Sequence, residues 1–157
     1  PTATVEVNWT STWFDPVVEG DAAQALIDAG ADVIAMHQDS TAAGDKAEAA
    51  GVRWVSYNSD MSAFAPNAFL TAPVWDWCNR YTQIIQQTGD GTYAGGAWWG
   101  SMADGVVDLA PIAGDVSGDI KDLVAEKKAA IIDGSFHPFT GPINAQDGSV
   151  LVADGET

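Results

Sequence analysis

Residues 31–40 read Ala-Asp-Val-Ile-Ala-Met-His-Gln-Asp-Ser, and this stretch decides the fold. Its first half is a continuous apolar run, as in a parallel strand covered on both faces, and its second half turns polar where such a strand would stop. The run predicts a buried strand that delivers His37, Gln38 and Asp39 to a rim. In open parallel sheets flanked by helices, ligands sit outside the carboxyl ends of the strands, so a polar cluster at that end points to a binding edge.

The neighbouring segments repeat the pattern. Residues 4–9 alternate β-branched and polar side chains and predict a strand that runs into the polar loop 10–12. Asp15 ahead of Pro16 predicts a helix cap with proline at the first helical position, and Gly30 ends that helix. Val18, Ala22, Ala23, Leu26 and Ile27 supply its apolar face. A short alanine-rich helix is expected over 41–50, closed by Gly51. A strand follows over 53–57 and again turns polar, at Asn58, Ser59 and Asp60. Strand, helix, strand, helix, strand with short connections describes a right-handed parallel array of the α/β class. Three strand ends are then expected side by side, presenting residues 9–15, 37–39 and 58–60 along one edge.

Beyond residue 60 the pattern loosens. An irregular connection over 61–67 and a short extended piece over 68–71 precede Pro73, read as the start of a helix with Trp77, Tyr81 and Ile84 or Ile85 on one face. Strands are expected over 94–99 and 105–109. Ser117 caps a last helix, with Ile120, Val124 and Ile131 facing inward and Gly134 closing it. Trp9, Trp77, Trp98 and Trp99 are assigned to packing, and Cys78, beside Trp77 and Val74, reads as a buried, inert thiol.

Composition narrows the partners. The 157 residues suffice for one domain with a core but not for two large lobes. Six Lys and Arg against 22 Asp and Glu give a net charge of −16, which repels phosphate backbones and anionic membranes and argues against a nucleic-acid partner. No apolar run approaches the roughly 20 residues that span a bilayer. With His37 and His137 the only histidines and Cys78 the only cysteine, no zinc-ligand spacing exists. Gly89-Asp90-Gly91 follows a helix and precedes a strand, the reverse of a phosphate-cradling loop, and no G-x-S-x-G elbow is present. Neither a cofactor, nor a metal, nor a catalytic group is expected.

The ordered set Asn8-Trp9-Thr10-Ser11-Thr12-Trp13-Phe14-Asp15-Pro16, Ala29-Gly30-Ala31-Asp32-Val33-Ile34, Gln38-Asp39-Ser40, Tyr57-Asn58-Ser59-Asp60-Met61, 70–77 and Phe139-Thr140-Gly141-Pro142-Ile143 resembles the basic membrane protein (PnrA-like) family of ABC-transporter substrate-binding proteins. The resemblance implies a type I periplasmic-binding-protein fold, with a parallel sheet flanked by helices in each of two lobes. It implies a solute receptor that takes a purine nucleoside, nucleobase or related heterocycle in an interlobe cleft and hands it to an ABC permease in the membrane. On this reading residues 1–72 form the ligand-binding half of the second lobe. Residues 73–157 supply the crossover and the elements returning to the first lobe. The leading lobe is expected to precede Pro1, together with an export signal and a lipid-bearing cysteine, which places the protein in the periplasm or outside the cell.

The candidate ligand-binding residues follow. Trp13, with Phe14 as the alternative, sits where the family places an aromatic against the heterocycle. Asp39 is an acceptor for ribose hydroxyls or an exocyclic amine, or else a helix cap. Asn58 and Asp60 divide donor and acceptor roles, or one of them closes its loop. His37 faces the same edge, and Trp75 lies near the crossover where family members close the cleft. Two other readings stand beside the receptor: the sensor domain of a transcriptional regulator, and an α/β enzyme acting on a nucleoside.

Overall fold

A computed structural model describes residues 3–157. The first helix, α1 (Pro16–Asp28), begins where its residues dictate: Oδ1 of Asp15 accepts from the N–H groups of Val17 and Val18, both at 3.1 Å, and Pro16 needs no donor partner at that position. Gly30 follows at φ +102, a backbone that a side chain would strain, and turns the chain into β1 (Val33–Ala35). Next come α2 (Ala42–Ala50), closed by left-handed Gly51, then β2 (Arg53–Val55) and β3 (Phe69–Thr71). These three strands form a parallel sheet in the order β1, β2, β3.

The core lies under β2. Trp54 is fully buried, edge-on to Phe69 with ring centroids 6.2 Å apart, and its other side meets α2 at Gly44. A Cβ at Gly44 would lie 2.6 Å from the indole, so only glycine lets the helix come this close. Ala23, Ala43, Ala47, Ala65 and Ala68 fill in around the ring. Burying an aromatic of 150–250 Å² at about 25 cal/mol per Å² contributes roughly 4 to 6 kcal/mol as an upper figure. Gly20 is buried as well, and its Cβ position lies 3.7 Å from Ala42, so α1 and α2 pack closely side by side.

Two polar struts secure this unit. Glu48 on α2 accepts from the backbone of Asn67 at 2.9 Å and Ala68 at 2.8 Å and from the side-chain amide of Asn67, tying α2 to the start of β3. The Asn67 amide, with the two N–H groups, holds its carboxyl below the usual range. Arg53 on β2 donates to both carboxylate oxygens of Asp115, at 2.5 and 3.0 Å, and to the carbonyl of Phe69 at 3.2 Å. An antiparallel pair, β4 (Pro73–Trp75) with β5 (Val107–Leu109), completes the unit, which comprises the chain up to Asp76 and Val107–Val116.

The second compact unit, Trp77–Val106 with Ser117–Thr157, holds α3 (Cys78–Gly89), α4 (Gly118–Ile132) and the hairpin β6 (Ile143–Asn144) and β7 (Val150–Val152). Neither helix has a buried residue. Trp77, Tyr81 and Trp98 form a ring cluster, with the Arg80 guanidinium 4.7 Å over Trp98.

Several expectations need correction. Residues 4–9 form no ladder, and Val5 and Trp9 are 84% and 85% exposed, so Trp9 is not a packing residue; alternation gives strand propensity, but a strand exists only where a neighbour pairs its backbone. The third parallel strand is β3, not this segment. Pro73 opens β4 and not a helix, since its fixed φ also suits the first residue of a strand. Helix α3 consequently starts at Cys78, whose thiol is exposed. Residues 94–99 make no strand, because Gly95 and Gly96 take φ +71 and +114, and Trp99 is 93% exposed. Ile120 is exposed and not inward.

Candidate functional site

The loops after β1 and β2 meet the loop that precedes α1, all within the first unit. The backbone N–H of Asp39 donates to the carbonyl of Trp13 at 3.0 Å, and the Gln38 amide donates to Oγ1 of Thr10 at 3.0 Å. These bonds hold Trp13 beside His37, and Tyr57 completes a row of three rings by stacking. His37 lies 5.8 Å from Trp13, tilted by 44°, and stacks on Tyr57 at 4.2 Å with 28° between the planes. The two described non-glycine residues with left-handed backbone, Ser11 (φ +54) and Asn58 (φ +66), both sit in these loops. Such conformations persist where the surroundings enforce them, and they gather at binding and catalytic sites.

Each candidate has a definite place. Trp13 and Phe14 are both exposed, at 68% and 64%, so neither is consumed by the core. His37 occupies the centre of the ring row. Asp39 is exposed and does not cap α2, whose cap position is Thr41; the Ala42 N–H finds Oγ of Ser40 instead, at 3.3 Å. Oδ1 of Asn58 accepts from the Trp75 indole N–H at 2.6 Å, coupling the β2 loop to the end of β4. Asp60 accepts from the Ser62 N–H at 2.9 Å; that bond, with the Ser62 hydroxyl, lowers its carboxyl below the usual range, so this side chain closes its own loop. The structure therefore joins Trp13, His37 and Asp39 on one side and Asn58 with Trp75 on the other, bridged by Tyr57. Trp13 and His37 also border a hollow walled by residues 3–13 and 29–38, while Asp39, Asn58 and Tyr57 lie outside those walls.

Tyr57 and Glu19 escaped the sequence reading. Tyr57 had a usable signal, as the last residue of the predicted strand 53–57, directly before Asn58. Glu19 had a weak one, lying four residues after the cap Asp15, where the usual reciprocal capping glutamate lies three after. Among the described residues no group of three His, Cys, Asp or Glu side chains is placed to hold a metal. Among the described residues no helix is long and apolar enough to cross a membrane.

Comparison with known proteins places this geometry in context. Residues 1–138 match the family described as Bmp, ABC transporter substrate-binding protein PnrA-like. A purine-binding protein of Brucella abortus is 44% identical over 157 residues, covering 99% of this chain and 44% of that protein. A Haloferax volcanii protein that carries the name of an ABC transporter glucose-binding protein is 39% identical over 141 residues, covering 90% of this chain and 36% of its own length. The chain thus spans less than half the length of these curated relatives. Among solved structures, a solute-binding protein of an ABC transporter system from Conexibacter woesei superposes with TM-score 0.67 at 23% identity, over 86% of this chain and 46% of that one. A transcriptional activator of the comK gene from Bacillus halodurans gives TM-score 0.73 at 18% identity, over 82% and 46%. At these identities the two structures share the fold.

Proposed function

Since the chain belongs to the PnrA-like family of ABC transporter substrate-binding proteins, we propose that it contributes the ring row of Trp13, His37 and Tyr57 as one wall of a site for a purine base or nucleoside. The single observation that carries this reading is the row itself: three rings from three separate segments, two of them tied by bonds between their loops and the third stacked on His37, with Trp13 left largely open. A flat heterocycle gains about 1 to 3 kcal/mol per aromatic platform. Phe14 is the second platform. Asp39 accepts from ribose hydroxyls or an exocyclic amine, and Asn58, positioned by Trp75, reads a ring edge. Asp60 supports the loop.

The three loops contain Asp15, Asp39 and Asp60 and no lysine or arginine, which favours a neutral ligand rich in donors over a phosphorylated one. The 44% identity to a purine-binding protein supports the same class. On this reading the protein performs no catalysis. It works in the periplasm or outside the cell, tethered through a lipid on residues preceding Pro1, closes over its ligand by hinge motion and is read by an ABC permease. Residues 1–72 carry the ligand-binding half and residues 73–157 the crossover and returning elements.

A second reading has its own support in the 39% identity to a protein named for glucose binding. Calorimetry of the protein against adenine, adenosine, guanosine, inosine, riboflavin and glucose separates the two. Heat with a purine, abolished or weakened by Trp13→Ala, is expected. Heat with glucose alone moves the site to the sugar class.

A further inference from the structure

We propose that Glu19 is a positioning residue for this site: its carboxylate staples the loop carrying Trp13 to the loop carrying His37 and Asp39, and so presets the ring row before any ligand arrives. The inference rests on the reading of that row as the ligand platform. Glu19 is 3% exposed and is the only acidic or basic side chain among the buried described residues. It lies in the first turn of α1, where the N-terminal peptide dipoles favour an anion. Helix capping explains only one arm: Oε1 takes the N–H of the cap residue Asp15, as a reciprocal capping glutamate does, whereas Oε2 reaches Ser40 on another loop.

The bonds of Glu19 run across the chain. Oε1 accepts from the N–H of Asp15 at 2.7 Å, two residues after Trp13. Oε2 accepts from the N–H of Ser40 at 3.2 Å and from its hydroxyl, three residues after His37. The bond from Asp39 to the Trp13 carbonyl lies between these anchors, so the two loops are joined at two points. A buried carboxylate is costly unless its lone pairs are filled, and here every recorded partner is a donor from one of the two loops. A residue selected only to pack α1 would be apolar.

Glu19→Gln tests the staple at nearly constant shape. Gln has one acceptor oxygen and one donor nitrogen, so its NH₂ must face either the Asp15 N–H or the Ser40 N–H, and one arm fails. The readout needs no ligand. The chain has two histidines, and only His37 stands between Trp13 and Tyr57, so its ring-proton resonances carry ring-current shifts for which His137 serves as the reference. At one fixed pH, Glu19→Gln is expected to move the His37 resonances toward their positions in Trp13→Ala, with His137 unmoved. Ser40→Ala, which removes the hydroxyl arm together with the Ala42 N–H bond to the same oxygen, moves them partway. With adenosine as probe, Glu19→Gln binds more weakly than the unaltered protein and more tightly than Trp13→Ala.

Unmoved His37 resonances in Glu19→Gln overturn the proposal. So does a Ser40→Ala protein in which His37 and His137 shift together as the whole chain loosens, because Glu19 then acts only on global stability; this second variant decides the matter even where Glu19→Gln does not fold. Failure of adenosine to bind the unaltered protein refutes the ligand assignment instead, and leaves the His37 result to judge Glu19.

Discussion

Around the sheet of the first unit alanines and glycines surround one large ring, although Val5, Trp9, Trp13 and Phe14 ahead of it are exposed; in the second unit large apolar side chains stand in the open. Ala23, Ala43, Ala47, Ala65, Ala68, Ala72 and Ala110 close on Trp54 and Phe69 until no exposed surface remains on Trp54. Trp99, Ile85, Phe139 and Leu151 of the second unit are 66% exposed or more, although each is more hydrophobic than any alanine. Hydrophobicity sets what burial would contribute, but close approach of backbones decides whether burial happens. Small residues permit that approach between α1 and α2, whereas α3 and α4 have no buried residue even though α4 carries Ala125, Ala129 and Ala130.

The contrast can be broken most directly at tryptophan. Trp54→Ala is expected to cost about 3 to 5 kcal/mol, whereas Trp99→Ala should stay within about 0.5 kcal/mol. Urea unfolding followed by circular dichroism measures both, and equal costs would erase the distinction between the units.

Glycine sharpens it, with opposite signs. Gly44→Ala drives a methyl to within 2.6 Å of the Trp54 ring and should destabilise by about 1 to 3 kcal/mol. Gly89→Ala, at the end of α3 with nothing within 4 Å of the new atom, should stabilise by about 0.4 to 1 kcal/mol by restricting the unfolded chain. Thermal midpoints of the two variants decide the point.

Smaller effects come from the polar struts. Asp115→Asn loses the charge opposite Arg53, and with these side chains 29% and 63% exposed the cost should be about 0.5 to 1 kcal/mol, shrinking as salt is added. The least is expected at Glu48. Its folded carboxyl titrates below the ordinary value of about 4.3, so the stability it contributes is present above that pH and is lost as the pH falls through the lower folded value. Unfolding midpoints measured from neutral pH downward should therefore fall less steeply in Glu48→Gln than in the unaltered protein.

Legibility followed the range of the interactions. The Asp15 cap, Pro16 at the first helical position and the left-handed glycines at Gly30, Gly51 and Gly134 were readable because each concerns a few adjacent residues. The misreading of Pro73 shows the limit: one dihedral preference serves a helix start and a strand start alike, and the pairing of Pro73 with Leu109 chose the strand. The site divides in the same way. Polar turns after the predicted strands marked His37, Asp39 and Asn58, and the family resemblance marked Trp13, but the part played by Tyr57 shows in the ring it stacks on and that of Glu19 in a serine 21 positions away.

From its residues alone the chain determined an α/β class, a likeness to one receptor family and a rim of polar strand ends, since periodicity and turn chemistry are local properties. Tertiary structure decided which strand stands third in the sheet, which tryptophan is the core and which carboxylate is buried. Those outcomes depend on contacts between distant segments, and backbone pairing and close packing choose among partners that hydrophobic pattern leaves equivalent.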